Sequence, residues 1–264
     1  MIKLIATDID GTLVEEGSLD LNPEYFEVVE ELKRRGVLFV AASGRQRNSI
    51  EKIFQPVKDE IIFISENGTC IHSKEYQYVD RINQDVVKAY LEDARRFPGC
   101  EVGINKDNMA YFENQGIYHH LVDDYGYMGK LVDNVSDYAT DVCKISIFHH
   151  RNAEEVVGND FMEHWRRILH VACFGDKWID CSNIGVTKGS ALKHFQDEYG
   201  ISPDETLAFG DNLNDIEMLK RASHSFAVED AREEVKEAAN FVAASNKEDG
   251  VLQVLKAVLR GELC

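Results

Sequence analysis

Runs of apolar residues that end abruptly in polar ones recur along the chain and predict buried strands. These runs cover residues 2–7, 37–42, 61–64 and 206–209. Apolar runs without polar alternation are typical of central strands in a parallel sheet, because both faces of such a strand are covered. Between them the apolar positions take helical spacing, as in the segment from Pro23 to Gly36. Strands that alternate with helices indicate an α/β fold.

The pattern changes near residues 82 and 185, which divides the chain in two. We expect a Rossmann-like parallel-sheet core formed by residues 1–82 and 185–264, with an α+β domain inserted at residues 83–184. In the insert we predict an antiparallel sheet, with helices over 85–97, over 118–125 and from 153, and strands near 102, 110, 142–148, 171 and 178. In the second core segment we predict strands at 206–209, 225–228 and 240–243, and helices ending near 195 and starting at 215 and 250.

Two carboxylates, Asp8 and Asp10, directly follow the first apolar run, and Gly11 permits a sharp turn behind them. Ligands of open α/β sheets bind at the carboxyl ends of the strands, and two such close like charges favour a nearby cation. A calcium loop is excluded, because Ala6 and Gly17 would occupy its first and twelfth positions. An ordinary Asp-Gly turn is the competing interpretation.

Asp211, Asn214 and Asp215 follow the run at 206–209 and form a second acidic cluster at a strand end. Mg2+ binds oxygen ligands, commonly one or two carboxylates with waters and substrate phosphate. Asp8, Asp211 and the backbone carbonyl of Asp10 would suit it. The alternative is that Asp215 is only a helix N-cap and Asp211 a turn residue.

Two further groups could bind an anion. Ser43, Gly44 and Arg45 lie between a strand and a predicted helix, where a hydroxyl and free N–H groups can hold a phosphate. Lys188 lies at another helix start and could contact a phosphate as a point charge. N-capping by Ser43 and a solvated lysine are the alternatives.

The composition is that of a globular, acidic protein. The formal net charge is −18, from 47 acidic and 29 basic residues, which disfavours nucleic acid and anionic membranes as partners. An anionic substrate would therefore need a local positive centre, such as a divalent ion with a few Lys or Arg side chains. The six cysteines form no C-x-x-C pair, and Met1 leads directly into the first strand, so we expect reduced thiols and a cytoplasmic protein.

Taken together, these motifs resemble the haloacid dehalogenase-like hydrolase superfamily. Its four motifs occur in order as Asp8-x-Asp10-Gly11-Thr12, Ser43, Lys188 and Gly210-Asp211 through Asp215. With Ser43-Gly44-Arg45, Glu66-Asn67-Gly68 and Glu248-Asp249-Gly250-Val251, the match looks like the Cof-type sugar-phosphatase subfamily and covers both core segments. The chain departs from many relatives in having Ser43 for Thr, and Glu229-Asp230 where Gly-Asn is common.

The resemblance implies a role for each motif residue. Asp8 would be the nucleophile that forms an aspartyl-phosphate, and Asp10 the general acid and base. Asp8, Asp10 and Asp211 would bind Mg2+. Phosphate would contact Ser43, Gly44, Lys188 and Asn214, and the supporting residues would be Asp215, Arg45 and Asn67.

The implied function is a Mg2+-dependent phosphatase acting on a small phosphorylated metabolite, with the insert as a cap over the substrate. A phosphomutase with the same intermediate and a catalytically silent phosphometabolite-binding protein are the alternatives, whereas a dehalogenase is disfavoured. Hexose phosphates, other polyol phosphates, pyridoxal phosphate and flavin mononucleotide are all compatible, and the sequence specifies no oligomeric state.

In the cap, Lys144 could contact substrate or be an ordinary strand lysine. His120 and Asp124 could bind a metal, although a polar helix face is favoured.

Overall fold

The computed structural model describes residues 1–174 and 176–263, which contain two sheets and the helices that cover them. The strands are β1 (Leu4–Thr7), β2 (Leu38–Ala42), β3 (Ile62–Ser65), β4 (Cys70–His72), β5 (Gln77–Val79), β6 (Glu101–Lys106), β7 (Met109–Phe112), β8 (Gly129–Leu131), β9 (Lys144–Phe148), β10 (His170–Phe174), β11 (Trp178–Ser182), β12 (Thr206–Gly210), β13 (His224–Val228) and β14 (Phe241–Ala243). The helices are α1 (Glu24–Arg34), α2 (Arg47–Ile53), α3 (Gln84–Ala94), α4 (Gln115–His119), α5 (Ala153–Arg166), α6 (Lys188–Tyr199), α7 (Ile216–Leu219), α8 (Glu233–Ala238) and α9 (Gly250–Arg260).

The chain forms two compact units. The first contains residues 1–78 and the chain from residue 187 onward, and the second contains residues 79–186. The insert expected at 83–184 falls inside the second unit. The assignment of the units as catalytic core and cap stays a prediction.

The large sheet has the strand order β14-β13-β12-β1-β2-β3-β4-β5, and its strands from β14 to β3 are parallel. The apolar runs form its centre, because β1 and β12 are buried along their whole lengths. The predicted α/β class with a parallel-dominated sheet is confirmed. Since β2 and β12 flank β1 on either side, the loops after all three strands start from the same edge of the sheet.

The second unit contains a sheet of order β10-β11-β9-β6-β7-β8, which is antiparallel except for the β7–β8 pair. Helices α3 and α5 cover one face of this sheet. Their apolar side chains, Leu91 and Trp165 among them, form a core with Ile145 and Ile147 of β9. The predicted α+β character of the insert is confirmed.

The apolar pattern does not predict β4, β5, β8 or α8. The three strands are only three residues long, and α8 has a single buried residue, Val235. Neither the strands nor the helix therefore shows a clear period of apolar residues. The helix predicted over 118–125 begins earlier, at Gln115, and becomes a π-helix over His120–Asp124. The helix predicted from 215 is short, and a 3-10 turn, Leu213–Asp215, precedes it.

The described cysteines are free thiols, namely Cys70, Cys100, Cys143, Cys173 and Cys181. Cys264, the sixth cysteine of the sequence, lies outside the described residues. Within the described ranges, none of the helices combines the length and the apolar character needed to cross a membrane.

Candidate functional site

Asp8 lies at the carboxyl end of the central strand, and its carboxylate is buried. Its backbone N–H donates to the Phe209 carbonyl at 3.0 Å, which fixes the residue against β12. Lys188 donates from Nζ to Asp8 Oδ1 at 2.5 Å, although 180 positions separate the two residues. The sheet therefore brings the first and third sequence motifs into direct contact.

Lys188 is the first residue of α6 and is only 1% exposed. A capping box fixes this helix start: the Thr187 hydroxyl accepts from the Ser190 N–H at 3.1 Å, and the Ser190 hydroxyl accepts from the Thr187 N–H at 2.9 Å. Lys188 Nζ also donates to Asp215 Oδ1 at 2.7 Å. The ammonium group is thus held between two carboxylates rather than solvated.

Asp215 organises the loop after β12 through both of its carboxylate oxygens. While Oδ1 accepts from Lys188, Oδ2 accepts from the N–H groups of Asp211 at 3.1 Å and Asn212 at 3.0 Å. Glycine is needed at position 210, because a Cβ there would lie 2.8 Å from Asp215 Cγ. The Thr12 hydroxyl donates to Asp211 Oδ1 at 2.9 Å and orients the second acid of this loop.

The carboxylates of Asp8, Asp211 and Asp215 form a cluster whose oxygens lie within 4.8 Å of one another. Burial, followed by repulsion from Asp215, raises the pKa of Asp8 despite the attraction of Lys188. The same two causes raise the pKa of Asp211 to about 6. Burial alone would lower the pKa of Lys188, but the Asp215 and Asp8 carboxylates reverse this and raise it. A cluster with these properties fits a group that takes up a proton or a cation.

Asp10 lies apart from this cluster and pairs with Arg45. Arg45 donates from Nε to Asp10 Oδ2 at 2.7 Å and from Nη2 to Asp10 Oδ1 at 2.5 Å, and the Gly17 N–H donates to the same Oδ1 at 3.0 Å. Arg45 is buried, and it also donates to the Ser18 carbonyl at 2.9 Å. Asp8 and Asp10 therefore have different side-chain partners, although they are only two positions apart.

The loop after β2 contains the predicted phosphate contacts Ser43 and Gly44. Ser43 is buried, and its hydroxyl accepts from the Arg45 N–H at 3.1 Å. Its own N–H donates to the Ile64 carbonyl at 2.8 Å, so this amide is not one of the free donors expected from the sequence. Gln46, and not Ser43, is the N-cap of α2, which rules out the simple capping interpretation. Asn214 donates from Nδ2 to Asn67 Oδ1 at 2.9 Å.

The candidate residues of the second unit form a separate set of contacts. Lys144 is buried and pairs with Asp180 at 3.2 Å. His120 Nδ1 lies 2.9 Å from Asp124 Oδ2, and the His120 ring stacks on Trp178 with 5.5 Å between ring centroids. Among the described residues, neither His120 nor Asp124 belongs to a group of three or more His, Cys, Asp or Glu side chains that could hold a metal ion. The polar helix face therefore stays a prediction.

Two contacts of the site involve Thr12 and Gly17, for which the sequence analysis predicts no role. Thr12 belongs to the first motif, but only the fold brings its hydroxyl to Asp211. Gly17 holds Asp10 through its backbone N–H, and a backbone donor has no signal in the sequence.

Known proteins are similar to the whole chain in sequence and structure. A family model described as haloacid dehalogenase-like hydrolase matches residues 5–255. The chain is 30% identical over 272 residues to 5-amino-6-(5-phospho-D-ribitylamino)uracil phosphatase YbjI of Escherichia coli, covering 99% of this chain and 97% of that protein. A crystal structure from Eubacterium rectale is 39% identical, with a TM-score of 0.91 over 97% of this chain and 99% of that one. A subclass IIB sugar phosphatase, 24% identical, shares the fold with a TM-score of 0.80 over 99% of this chain and 100% of that one.

Proposed function

Because the chain belongs to the haloacid dehalogenase-like hydrolase family, we propose that it is a Mg2+-dependent phosphatase acting on small phosphate monoesters. The observation that carries this proposal is the buried Asp8 carboxylate in contact with Lys188, beside the carboxylates of Asp211 and Asp215. A carboxylate nucleophile next to a fixed ammonium group offers both the attacking oxygen and the positive charge that a phosphoryl group requires. The phosphatase name of the Escherichia coli relative supports the class of phosphoric monoester hydrolases.

The chemistry of the acidic cluster fits Mg2+. The cluster contains three carboxylates and one ammonium group, which pairs with Asp8 and Asp215, so a formal surplus of two negative charges remains among oxygen donors. Both Asp215 oxygens already accept hydrogen bonds, so we propose that Asp8, Asp211 and the backbone carbonyl of Asp10 hold the ion while Asp215 positions Lys188. When bound, the ion supplies positive charge to the phosphoryl oxygens.

In the proposed first step, an Asp8 oxygen attacks phosphorus and the bond from phosphorus to the ester oxygen breaks. Asp10 donates its proton to that leaving oxygen and releases the alcohol. In the second step water attacks phosphorus, Asp10 takes a proton from it, and the acyl-phosphate bond breaks to give inorganic phosphate and the Asp8 carboxylate. The paired contact from Arg45 would orient the Asp10 carboxylate while it is ionised, and one oxygen would leave Arg45 when Asp10 carries the proton.

The phosphoryl oxygens would be held by Lys188, the Ser43 hydroxyl, Asn214 and the Gly44 backbone. Lys188 is already fixed by two carboxylates, so it needs little reorganisation when a phosphoryl group reaches Asp8. We propose substrates in which the phosphate is carried by a sugar or a sugar-alcohol chain. The name of the Escherichia coli relative, a phosphatase of a phosphoribitylamino compound, supports this class.

The test is phosphate release from a panel of small phosphate esters with Mg2+ or with EDTA, using wild type and Asp8→Asn. We expect the variant and the chelator each to reduce turnover by at least about 1,000-fold. Asp20→Asn, which changes an exposed carboxylate outside the cluster, is the matched control and should retain activity.

Three outcomes would contradict the proposal. Turnover by Asp8→Asn would show that Asp8 is not the nucleophile. Phosphate that reappears on another carbon of the sugar, with none in solution, would indicate a phosphomutase. Thermal stabilisation by phosphate esters without turnover of any of them would indicate a binding protein.

A further inference from the structure

The turn at residues 66–68 has a backbone conformation that is rare for residues with side chains. Glu66, Asn67 and Gly68 all have positive φ, at 50°, 57° and 103°. Glycine adopts such values readily and asparagine tolerates them, but a buried glutamate does so only where its surroundings enforce it. Contacts on several sides must therefore hold this turn in place.

Those contacts connect the turn to three segments that carry predicted phosphate-binding residues. The N–H groups of Glu66 and Asn67 donate to the carbonyls of Arg45 and Ser43, each at 3.0 Å. A Cβ at Gly68 would lie 2.5 Å from the carbonyl carbon of Thr187 and 3.0 Å from Lys188 N, so this glycine packs directly against the start of α6. The Asn67 side chain accepts from Asn214 Nδ2 at 2.9 Å.

The Asn67 amide also packs against the loop after β2. A Cβ at Gly44 would lie 3.2 Å from both Asn67 Oδ1 and Asn67 Nδ2, so the amide group fits closely over the Gly44 Cα. A single side chain thus lies between Gly44 on one side and Asn214 on the other. Glycine would satisfy the backbone at position 67 equally well but would provide neither contact.

We infer that Asn67 is a positioning residue, whose side chain sets Asn214 and the Ser43–Gly44 loop at the correct separation to bind a phosphoryl group. This inference rests on the proposed function. Asn67 acts through its neighbours, because its contacts are with the residues proposed to touch phosphate.

The experiment compares wild type with Asn67→Gly, which keeps the left-handed backbone and removes only the amide. We measure kcat and KM for a phosphate ester, the Kd for inorganic phosphate by calorimetry with Mg2+, and the thermal midpoint. A single hydrogen bond to a well-placed group is worth up to about tenfold. We expect the phosphate Kd to rise by about tenfold while the thermal midpoint stays near that of wild type.

A double-mutant cycle with Asn214→Ala identifies the route of the effect. If Asn67 acts through Asn214, the double variant should bind phosphate no more weakly than Asn214→Ala alone. Asp141→Gly is the matched control, because Asp141 is exposed, has a φ of 58° and lies in the other unit; its phosphate Kd should equal that of wild type.

An unchanged phosphate Kd in Asn67→Gly would overturn the inference. Losses that multiply in the double variant would overturn the part of it that runs through Asn214. These results differ from a failure of the proposed function. If wild type releases no phosphate from any ester, the proposed function fails. If wild type is active and Asn67→Gly matches it in every measurement, only the positioning role fails.

Discussion

Replacing Asp211 by asparagine should stabilise the protein in the absence of Mg2+ and reduce the stabilisation that Mg2+ provides. Asparagine keeps the shape of the side chain and the oxygen that accepts the Thr12 hydroxyl at 2.9 Å. It removes one of three negative charges that lie within 4.8 Å of one another. Without a cation that charge opposes folding, and with a cation it contributes to binding.

The size of the expected stabilisation follows from the pKa of Asp211, which is about 6 in the folded protein against 3.8 for the ordinary carboxyl group. One pKa unit corresponds to about 1.4 kcal/mol, so ionised Asp211 reduces the free energy of unfolding by about 3 kcal/mol. Because the folded-state pKa is raised, the folded state binds the proton more tightly than the unfolded state. The destabilisation by ionised Asp211 is therefore absent below about pH 4, grows as the pH rises through about 6, and is constant above that.

The assay is denaturant unfolding of wild type and Asp211→Asn at pH 8 and at pH 4, with EDTA and with Mg2+. In EDTA at pH 8 the variant should be more stable by about 3 kcal/mol, and at pH 4 the two proteins should be nearly equal. Asp204→Asn is the matched control, since the exposed Asp204 also accepts from a hydroxyl, that of Ser223, at 2.5 Å. A variant that is less stable than wild type in EDTA at pH 8 would refute the electrostatic argument.

Three further substitutions test other contacts of the site. Arg45→Lys cannot reproduce the paired contact with Asp10, so kcat should fall by about tenfold with KM little changed in steady-state kinetics, and an unchanged kcat would contradict this. Lys188→Met leaves two buried carboxylates without their cation, and denaturant unfolding in EDTA at pH 8 should show a loss of about 3–5 kcal/mol; a loss below about 1 kcal/mol would count against the buried pair. Gly210→Ala places a methyl group against the Asp215 side chain, so calorimetry should show weaker Mg2+ binding, and wild-type affinity would disprove the steric argument.

The sequence predicts the centre of the large sheet well, because a strand buried on both faces must be apolar throughout. β1 and β12 are such strands, and each ends where a polar motif begins. The family resemblance carried by these motifs is confirmed by the match over residues 5–255. The edges of the two sheets are predicted less well. β5 and β8 are three residues long, with exposed positions that follow no apolar period.

Side-chain partners within the site could not be predicted from spacing along the chain. Asp8 and Asp10 are two positions apart, and on a continuous strand their side chains would share a face. β1 ends at Thr7, however, and Asp10 already lies in the turn that Gly11 permits, with a φ of 81° at the glycine. Asp8 therefore meets Lys188, whereas Asp10 meets Arg45. The alternation rule fails where the strand ends, and the site lies at that end.

The charge balance of the site could be argued only once the fold was known. The sequence shows an acidic chain and a set of acidic motifs, but it does not show which basic residue offsets them. Lys188 contacts Asp8 although the whole second unit lies between them in the sequence, and its single charge offsets only one of the three carboxylates that converge there. A surplus of two negative charges in a largely buried cluster is unfavourable without a cation and is matched by one divalent cation. The arrangement that weakens the metal-free fold is therefore the one that would favour Mg2+ beside Asp8, and the stability difference expected for Asp211→Asn measures it directly.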